Sequence, residues 1–569
     1  MNLILHYIRR HLGLFFTAIF FLTLEALADL MQPAMMERIV DEGVKNADVR
    51  RILTSGIIMV GIAALGALGA VMRNIYASRT SQTIGREIRS DLYRKVQSLS
   101  LENIDRFQPA SIITRITNDV TQIQEFVNGC MRIMAKAPIT CIGAIVLLAI
   151  QTPWQIPVLV VILVVVGIWI TGNVRLGYPR FGAMQQKLDR LNKVSREFLS
   201  SVRVVKAFRA EAQEEQRFGQ ASRELAQATT SAMQVMAVFS PLINLTVNLG
   251  IVLLLWLSGS GNSEIGHLMA SVNYMTQILF SLGMVSNILN TAARAAASAE
   301  RIGQVLQETP AQKVAAAPQP LGDGADVEFC DVSFTYAGAS RESLRHLSFH
   351  AAAGQTIGII GPTGSGKSTL VNLIPRFYDA VSGTVRVNGV DVTQADPVQL
   401  RQSVAIVPQK ALLFSGTILE NLRWGRQDAS EQEILHAARI ACADEFVSRM
   451  PQGYRTQLGQ GGVNLSGGQK QRLALARALV RSPRILILDD CTSALDAETE
   501  ARVLQGLRQM QGITVLLISQ RIATVRRADR ILCLEDGIAC GFGTHEELMK
   551  DCPTYQAIYA SQIGGVRHG

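Results

Sequence analysis

The sequence predicts two fold classes in one chain: an all-α polytopic transmembrane domain of six helices with long cytoplasmic extensions, then an α/β domain built to hold phosphate. Three observations carry that prediction. Long apolar segments cluster before residue 300, a glycine-rich loop follows the strand-like run Thr356 to Ile360, and a second apolar run, Ile485 to Leu488, ends in two carboxylates. With 569 residues the chain is too long for one domain. Its mean hydropathy of +0.21 is high for a soluble protein. The net charge of +9 raises nucleic-acid binding as an option. In the first half, however, the basic residues sit mainly in loops between apolar segments, the signature of membrane topology. The eight cysteines are scattered, with no C-x-x-C pair, and indicate neither a disulfide framework nor a zinc site.

Six segments reach the roughly 20 residues that a bilayer crossing needs. They are placed near 12–36, 53–73, 133–152, 155–174, 238–258 and 265–289. The first is long enough to stay in the membrane rather than act as a cleaved signal. The connections around 74–132 and 175–237 are rich in Lys and Arg (Arg79, Arg86, Arg89, Arg94 and Lys95; Arg190, Lys193, Arg196, Arg203 and Lys206). The turns near 153 and 259–264 have none. The positive-inside rule therefore puts the N-terminus, both long connections and the following α/β domain in the cytoplasm. Both connections have helical periodicity, so roughly 25 residues would extend nearly 40 Å beyond the membrane. Residues 309–325, rich in Ala, Pro and Gly, read as a linker, and strand-like segments begin at Val327.

Gly361-Pro362-Thr363-Gly364-Ser365-Gly366-Lys367-Ser368-Thr369 fits G-x-x-x-x-G-K-[ST]. Its glycines let backbone N–H groups wrap phosphates, Lys367 reaches the terminal phosphates, and Ser368 offers a hydroxyl to Mg²⁺. Ser466-Gly467-Gly468-Gln469 opens a second helix with bare backbone donors, a seat for an anion. Asp489 and Asp490 stand at the tip of the buried strand, placed for a metal or a water.

Together these stretches resemble the ATP-binding cassette (ABC) family, whose specific mark is the LSGGQ run at 465–469. The spans before them resemble the membrane domain of the family's exporters. The resemblance implies an α/β P-loop NTPase cassette with a helical subdomain, with the domains at 1–308 and 326–569 joined by a linker at 309–325. It implies ATP and Mg²⁺ as cofactors, with Ser368, Gln409 and Asp489 around the metal. Tyr336 takes the position that stacks on adenine, and Ser493 and Asp496 fall in the loop between cassettes. Two regions look like the short transverse helices that dock on cassettes: Phe107 to Ala110 with Thr117 to Val120, and Val202 to Phe208.

Three positions depart from the family's pattern. The catalytic base is usually Glu, but here it is Asp490, whose carboxylate is withdrawn by roughly an ångström; a misplacement of that size costs on the order of 10²-fold. Gln520 stands where the family has a histidine on the γ-phosphate. Gln460 also replaces a common Glu. A weakened ATP site beside an intact signature, Ser466 to Gln469, implies a heterodimer whose other half-transporter brings the Glu and the His. The alternatives are a homodimer using Asp490 as a weak base, and an ATP-gated regulator that moves no cargo. The expected setting is a bacterial inner membrane, with the lipid bilayer and a small amphipathic cargo as partners and no nucleic acid. Within the spans, Glu25 with Asp29, Asn244 with Asn248, and Asn273 with Gln277 are each four apart, hence on one helix face. These residues are expected to line a cargo cavity, Glu25 favouring cationic or amphipathic cargo. Interhelical hydrogen bonding is the competing reading.

Overall fold

The computed structural model describes residues 2–259 and 265–563. The turn without Lys or Arg expected at 259–264 lies almost wholly outside them, as do several side chains between 282 and 290 in the sixth expected span. The chain forms two compact units, one of residues 1–95 and 111–307, the other of residues 96–110 and 308–569.

The first unit is helical throughout. A short helix, Asn2–Arg10, buries Ile4 and Tyr7, and the Tyr7 hydroxyl donates to Asp91 at 2.8 Å. Long helices follow at Leu12–Arg38, Val49–Ser98, Lys136–Gln151, Ile156–Ala207, Glu211–Gly259 and Ile265–Gln307. Among the described residues, five helical stretches are long and apolar enough to cross a membrane: Leu12–Val44, Val49–Ser98, Pro109–Gln151, Pro153–Ala207 and Glu211–Leu257. Their outward apolar side chains are bare in the isolated chain; Phe20, Val60 and Ile57 are 65–72% exposed. Such surface is stable only against lipid or another subunit. The Val49–Ser98 helix has 50 residues and runs about 75 Å, well over twice the ~30 Å hydrocarbon core. Helices therefore continue far beyond the spans, as the unbroken periodicity predicts.

The two connections differ. In the first, the chain breaks at Leu99–Ser100, forms the helix Leu101–Phe107, and breaks again at Gln108, whose φ is 60°. Pro109 then starts a new helix, where its missing N–H costs nothing. In the second, Val202–Ala207 simply continues the long helix, and the break falls at Phe208–Ala210, where Arg209 has φ 51°. Nothing in Ser200-Ser201-Val202 interrupts the helix, so the separate short helix expected there does not form.

The second unit, apart from Val96–Ala110, is α/β. Its strands are β1 (Val327–Phe334), β2 (Leu344–Ala351), β3 (Thr356–Ile360), β4 (Ser382–Val387), β5 (Val390–Asp391), β6 (Val404–Val407), β7 (Gly416–Thr417), β8 (Gln457–Leu458), β9 (Ile485–Asp489), β10 (Thr514–Ile518), β11 (Arg530–Glu535) and β12 (Ile538–Gly543). An antiparallel sheet has order β2-β1-β4-β5, and a larger one β12-β11-β3-β10-β9-β6. In the larger sheet β11, β3, β10, β9 and β6 are parallel neighbours, and only the β11–β12 pair is antiparallel. Parallel strands covered on both faces read as continuous apolar runs, which is why Ile485–Leu488 is buried throughout. The helices Ile418–Arg423, Glu431–Ile440 and Gly467–Val480 form a helical layer. Their apolar faces share one core with β9, through Leu422, Ile434, Leu473 and Leu486. Thr417, Ser430 and Ser466 each start their helix with a reciprocal capping box.

Candidate ATP site

Parallel strands deliver their C-terminal ends to one edge, and ligands of open α/β sheets bind there. The loop after β3 holds residues 361–366 and passes into the helix Lys367–Leu373. Gly366 has φ 93°, and a Cβ on it would sit 2.6 Å from the Ser343 carbonyl, so only glycine fits. Lys367 is buried, and its Nζ donates to the carbonyls of Gly361 at 2.9 Å and Pro362 at 2.7 Å. Burial pulls its ammonium below the usual lysine range, against the pull of Asp490 and Asp489. A phosphate would supply the counter-charge this ammonium lacks.

Beside the loop, β9 ends in the two acids. Asp489 Oδ1 accepts from the Ser368 hydroxyl at 3.0 Å. Burial pushes the Asp489 carboxyl above its ordinary range, partly offset by the Ser368 hydrogen bond, and neighbouring Asp490 adds to the rise. Asp490 lies in the left-handed region, φ 47°, which Asp tolerates better than most residues, and its Oδ2 accepts from Gln409 Nε2 at 3.2 Å. Thr363, Gly364, Ser365, Gly366, Lys367, Ser368, Thr369, Gln409, Asp489, Asp490 and Gln520 converge on one cleft of about 250 Å³, together with Ser343 and Ile518. Tyr336 flanks it, its hydroxyl donating to Thr369 Oγ1 at 3.2 Å. The donors fit Mg²⁺: a hydroxyl, a desolvated carboxylate and an amide oxygen are hard ligands, and Mg²⁺ needs few of them when it also binds phosphates. Ser368, Asp489 and Gln409 would hold the ion, which neutralises phosphate charge when bound.

The signature forms a second cluster, and none of its residues lines that cleft. Ser466 Oγ accepts from the Gln469 N–H at 3.3 Å while Gln469 Oε1 accepts from the Ser466 N–H at 2.9 Å. A Cβ on Gly468 would lie 2.9 Å from the Ala494 carbonyl, so the helix start is pressed onto the loop carrying Ser493 and Asp496. Asp496 caps the helix Ala497–Arg508 by accepting from the Thr499 N–H at 2.8 Å, a bond that also lowers its pKa. Ser493 Oγ donates to the Asp490 carbonyl at 2.9 Å, which links this loop to the acid itself.

Sequence reasoning missed three sets of partners. Buried Glu500 accepts from Thr524 at 2.8 Å and pairs with Arg521 at 3.5 Å, bracing the segment that carries Gln520. Tyr378, whose ring lies edge-on to Tyr336 at 5.2 Å, donates to Asp105 of the Leu101–Phe107 helix at 2.6 Å. In the first unit Lys136 Nζ lies 2.6 Å from Glu25 Oε1 and 2.8 Å from Asp29 Oδ2, and Arg73 Nη1 lies 3.1 Å from Glu25 Oε2. Two cations thus match two carboxylates, so Glu25 and Asp29 are not the bare negative charges from which a preference for cations was argued. Gln277 donates across helices to the Asp29 carbonyl at 3.3 Å, and Asn273 donates to Met269 of its own helix at 2.9 Å. Asn244 and Asn248 are exposed. Nothing in the sequence announced the cations as partners, since both lie at the edges of expected spans.

Residues 15–282 match the ABC transporter transmembrane region, and residues 344–493 match the ABC transporter cassette. A protein of Bacillus subtilis, the ABC transporter ATP-binding protein YfiB, is 39% identical over 96% of both chains. The chain belongs to the ABC transporter family. An ATP-dependent lipid A-core flippase of Syntrophus aciditrophicus is 31% identical over 95% of this chain and 89% of its own length. The solved structure of a bacterial Atm1-family ABC exporter with ATP bound superposes with a TM-score of 0.80, at 28% identity and over 98% of both chains. The ABC protein described here is thus an ATP-hydrolysing half-transporter of exporter fold, with one helical membrane region and one cassette; such halves act as dimers in a membrane.

Proposed function

We propose that this chain is the degenerate-site subunit of a heterodimeric exporter that works by alternating access. Six spans belong to the membrane domain over 1–308, the sixth carried by the Ile265–Gln307 helix. A linker at 309–325 leads to the cassette over 326–569, on the cytoplasmic side of a bacterial inner membrane. The observation that carries the reading is the base position. Asp490 is a methylene short of Glu, and its carboxylate is tied back to Gln409 at 3.2 Å rather than reaching forward. Gln520, on the same cleft, offers an amide in place of an imidazole. ATP bound here, with Mg²⁺ held by Ser368, Gln409 and Asp489, holds the cassettes together. Tyr336 and residues 361–369 grip the nucleotide. Ser466 to Gln469, with Ser493 and Asp496, complete the partner's ATP site, whose Glu and His carry out most of the hydrolysis. The cargo is an amphipathic or lipid-like small molecule, in keeping with the flippase relative, and Glu25, Asp29, Asn244, Asn248, Asn273 and Gln277 line its path.

The test is Mg²⁺-ATP turnover by the purified full chain, with nucleotide binding measured on the same sample. Tight binding with negligible turnover is the expected result. Brisk turnover by this chain alone would make Asp490 a working base in a homodimer and end the degenerate-site reading.

A further inference from the structure

The first unit contains a mixed-charge cluster where Glu25 and Asp29 of one apolar helix meet cations at the edges of two other expected spans. Glu25 lies about 20 Å along its helix from Leu12, and Lys136 about 22 Å along its own from Gln151, at 1.5 Å per residue. Lys136 bridges Glu25 and Asp29, and Arg73 backs Glu25. The ion-paired groups balance, two positive and two negative, as a low-dielectric setting demands, with exposed Arg132 outside the pairs. Its capacity is not used up. Lys136 has three donors, two of them spent on the carboxylates. Arg73 is 9% exposed, and its Nε has no hydrogen-bond partner among the described residues. At the other end the Asp29 side chain is 46% exposed, so one carboxylate of the cluster stays accessible. Arg132, whose carbonyl accepts from Arg73 Nη1 at 3.4 Å, is exposed beside the cationic side.

We infer that this cluster is the headgroup site for a zwitterionic amphiphile, a molecule with an anionic phosphate-like group and an ammonium a few bonds apart. The inference rests on the exporter reading and narrows its cargo. The physical argument is exchange of pairs. A zwitterion entering the cluster sets its anionic end on Lys136 and Arg73 and its ammonium on Asp29 and Glu25. Every internal ion pair that opens is replaced by another, and neutrality is kept. An amphiphile with net charge of either sign must leave one buried group unmatched, which is costly inside a membrane protein. Asp29 is the accessible acid and Arg73, on the far side of Glu25 in the chain of ion pairs, carries the unpartnered Nε, so the two ends of the cluster differ in sign.

The experiment uses the full chain in detergent and three single-chain amphiphiles of equal tail length: lysophosphatidylcholine, lysophosphatidylglycerol and an alkyltrimethylammonium. Binding constants come from native mass spectrometry, with ATP binding measured on every sample. The zwitterion is expected to bind about 10-fold tighter than either charged probe. Lys136→Gln, which leaves an excess negative charge, should move the preference to the cation, and Glu25→Gln should move it to the anion. The double exchange of Glu25→Lys with Lys136→Glu restores neutrality and should restore the zwitterion preference, which separates a charge effect from damage to the fold. Glycerophosphocholine, the headgroup without a tail, distinguishes a soluble zwitterion from a lipid: competition at similar concentration assigns the site to a soluble cargo of the same chemistry. Equal affinity for the three probes, or the same ranking in both single variants, overturns the proposal. Loss of ATP binding and of ATP-driven flux in the unaltered protein, with the headgroup preference intact, would instead overturn the exporter reading alone.

Discussion

Replacing Asp490 with Glu should convert the weak site into a working one. The substitution adds a methylene and carries the carboxylate forward by roughly an ångström, a placement difference worth on the order of 10²-fold in rate. At 1.36 kcal/mol per tenfold this is about 2.7 kcal/mol of barrier. Against it stands the main chain: Asp490 has φ 47°, and Glu, lacking a side chain short enough to settle its own backbone, pays about 1 kcal/mol there. The reach gained outweighs the strain, which falls on folding stability rather than on the reaction. The assay is steady-state phosphate release by the full chain at saturating Mg²⁺-ATP. Asp490→Glu should raise kcat by tens of fold to about 10²-fold with little change in KM. Adding Gln520→His should raise it further, because an imidazole can carry charge near the terminal phosphate. If neither the single nor the double variant exceeds the unaltered chain, reach at the base is not what limits this site, and the reasoning fails.

Other outcomes follow from the same geometry. Lys367→Met should abolish stabilisation by ATP in a thermal-shift assay, since the buried ammonium is the loop's charge for phosphate. Asp489→Asn should weaken Mg²⁺-dependent ATP binding, yet it should stabilise the nucleotide-free protein. The folded Asp489 pKa is raised by burial, so its contribution is complete below the ordinary aspartate range and is lost as pH rises through the folded value. Unfolding midpoints of the variant measured from acid to neutral pH should therefore lack that decline. Tyr378→Phe removes the donor to Asp105 and should lower the unfolding free energy by about 1 kcal/mol while leaving nucleotide affinity within twofold. Gly468→Ala drives a Cβ against the Ala494 carbonyl, and overpacking of this kind costs about 1–3 kcal/mol. It should spare ATP binding by this chain's own loop, measured with a fluorescent nucleotide.

The ATP site was legible because its parts are contiguous. Residues 361–369 specify strand, loop and helix by local chemistry, and Asp489 with Asp490 announce themselves at the end of an apolar run. The long helices were readable too, since the bilayer sets a length that composition must meet, although five stretches rather than six meet it among the described residues. What stayed hidden were pairings between distant residues. Glu25 could be recognised as an acid in an apolar helix, but its partner Lys136 is 111 positions away and stands at the edge of a span, where a lysine is unremarked. Nothing in the sequence singles out Glu500, whose partners Thr524 and Arg521 lie more than 20 residues on. The continuity of the helix through Val202–Ala207 was misjudged for a different reason: an aromatic and β-branched run carries no break signal, and here it is exposed apart from Val205, the helix ending only at Arg209 with its positive φ.

The second unit is also split in sequence, because Val96–Ala110 belongs to it while the rest begins at Glu308. Tyr378 follows its hydrogen-bond partner Asp105 by 273 residues. At ~5–20 residues per second of synthesis, the Leu101–Phe107 helix waits roughly 15–55 s before the surface it seals exists. During that interval Asn103, Asp105 and Arg106 are without Glu308 and Tyr378, and the spans that follow are being inserted. The Tyr378–Asp105 contact closes only when an element made early meets one made late, both inside the second unit. A cassette expressed from Glu308 onward should accordingly be soluble only with that surface uncovered, and should gain stability from an added peptide spanning 96–110.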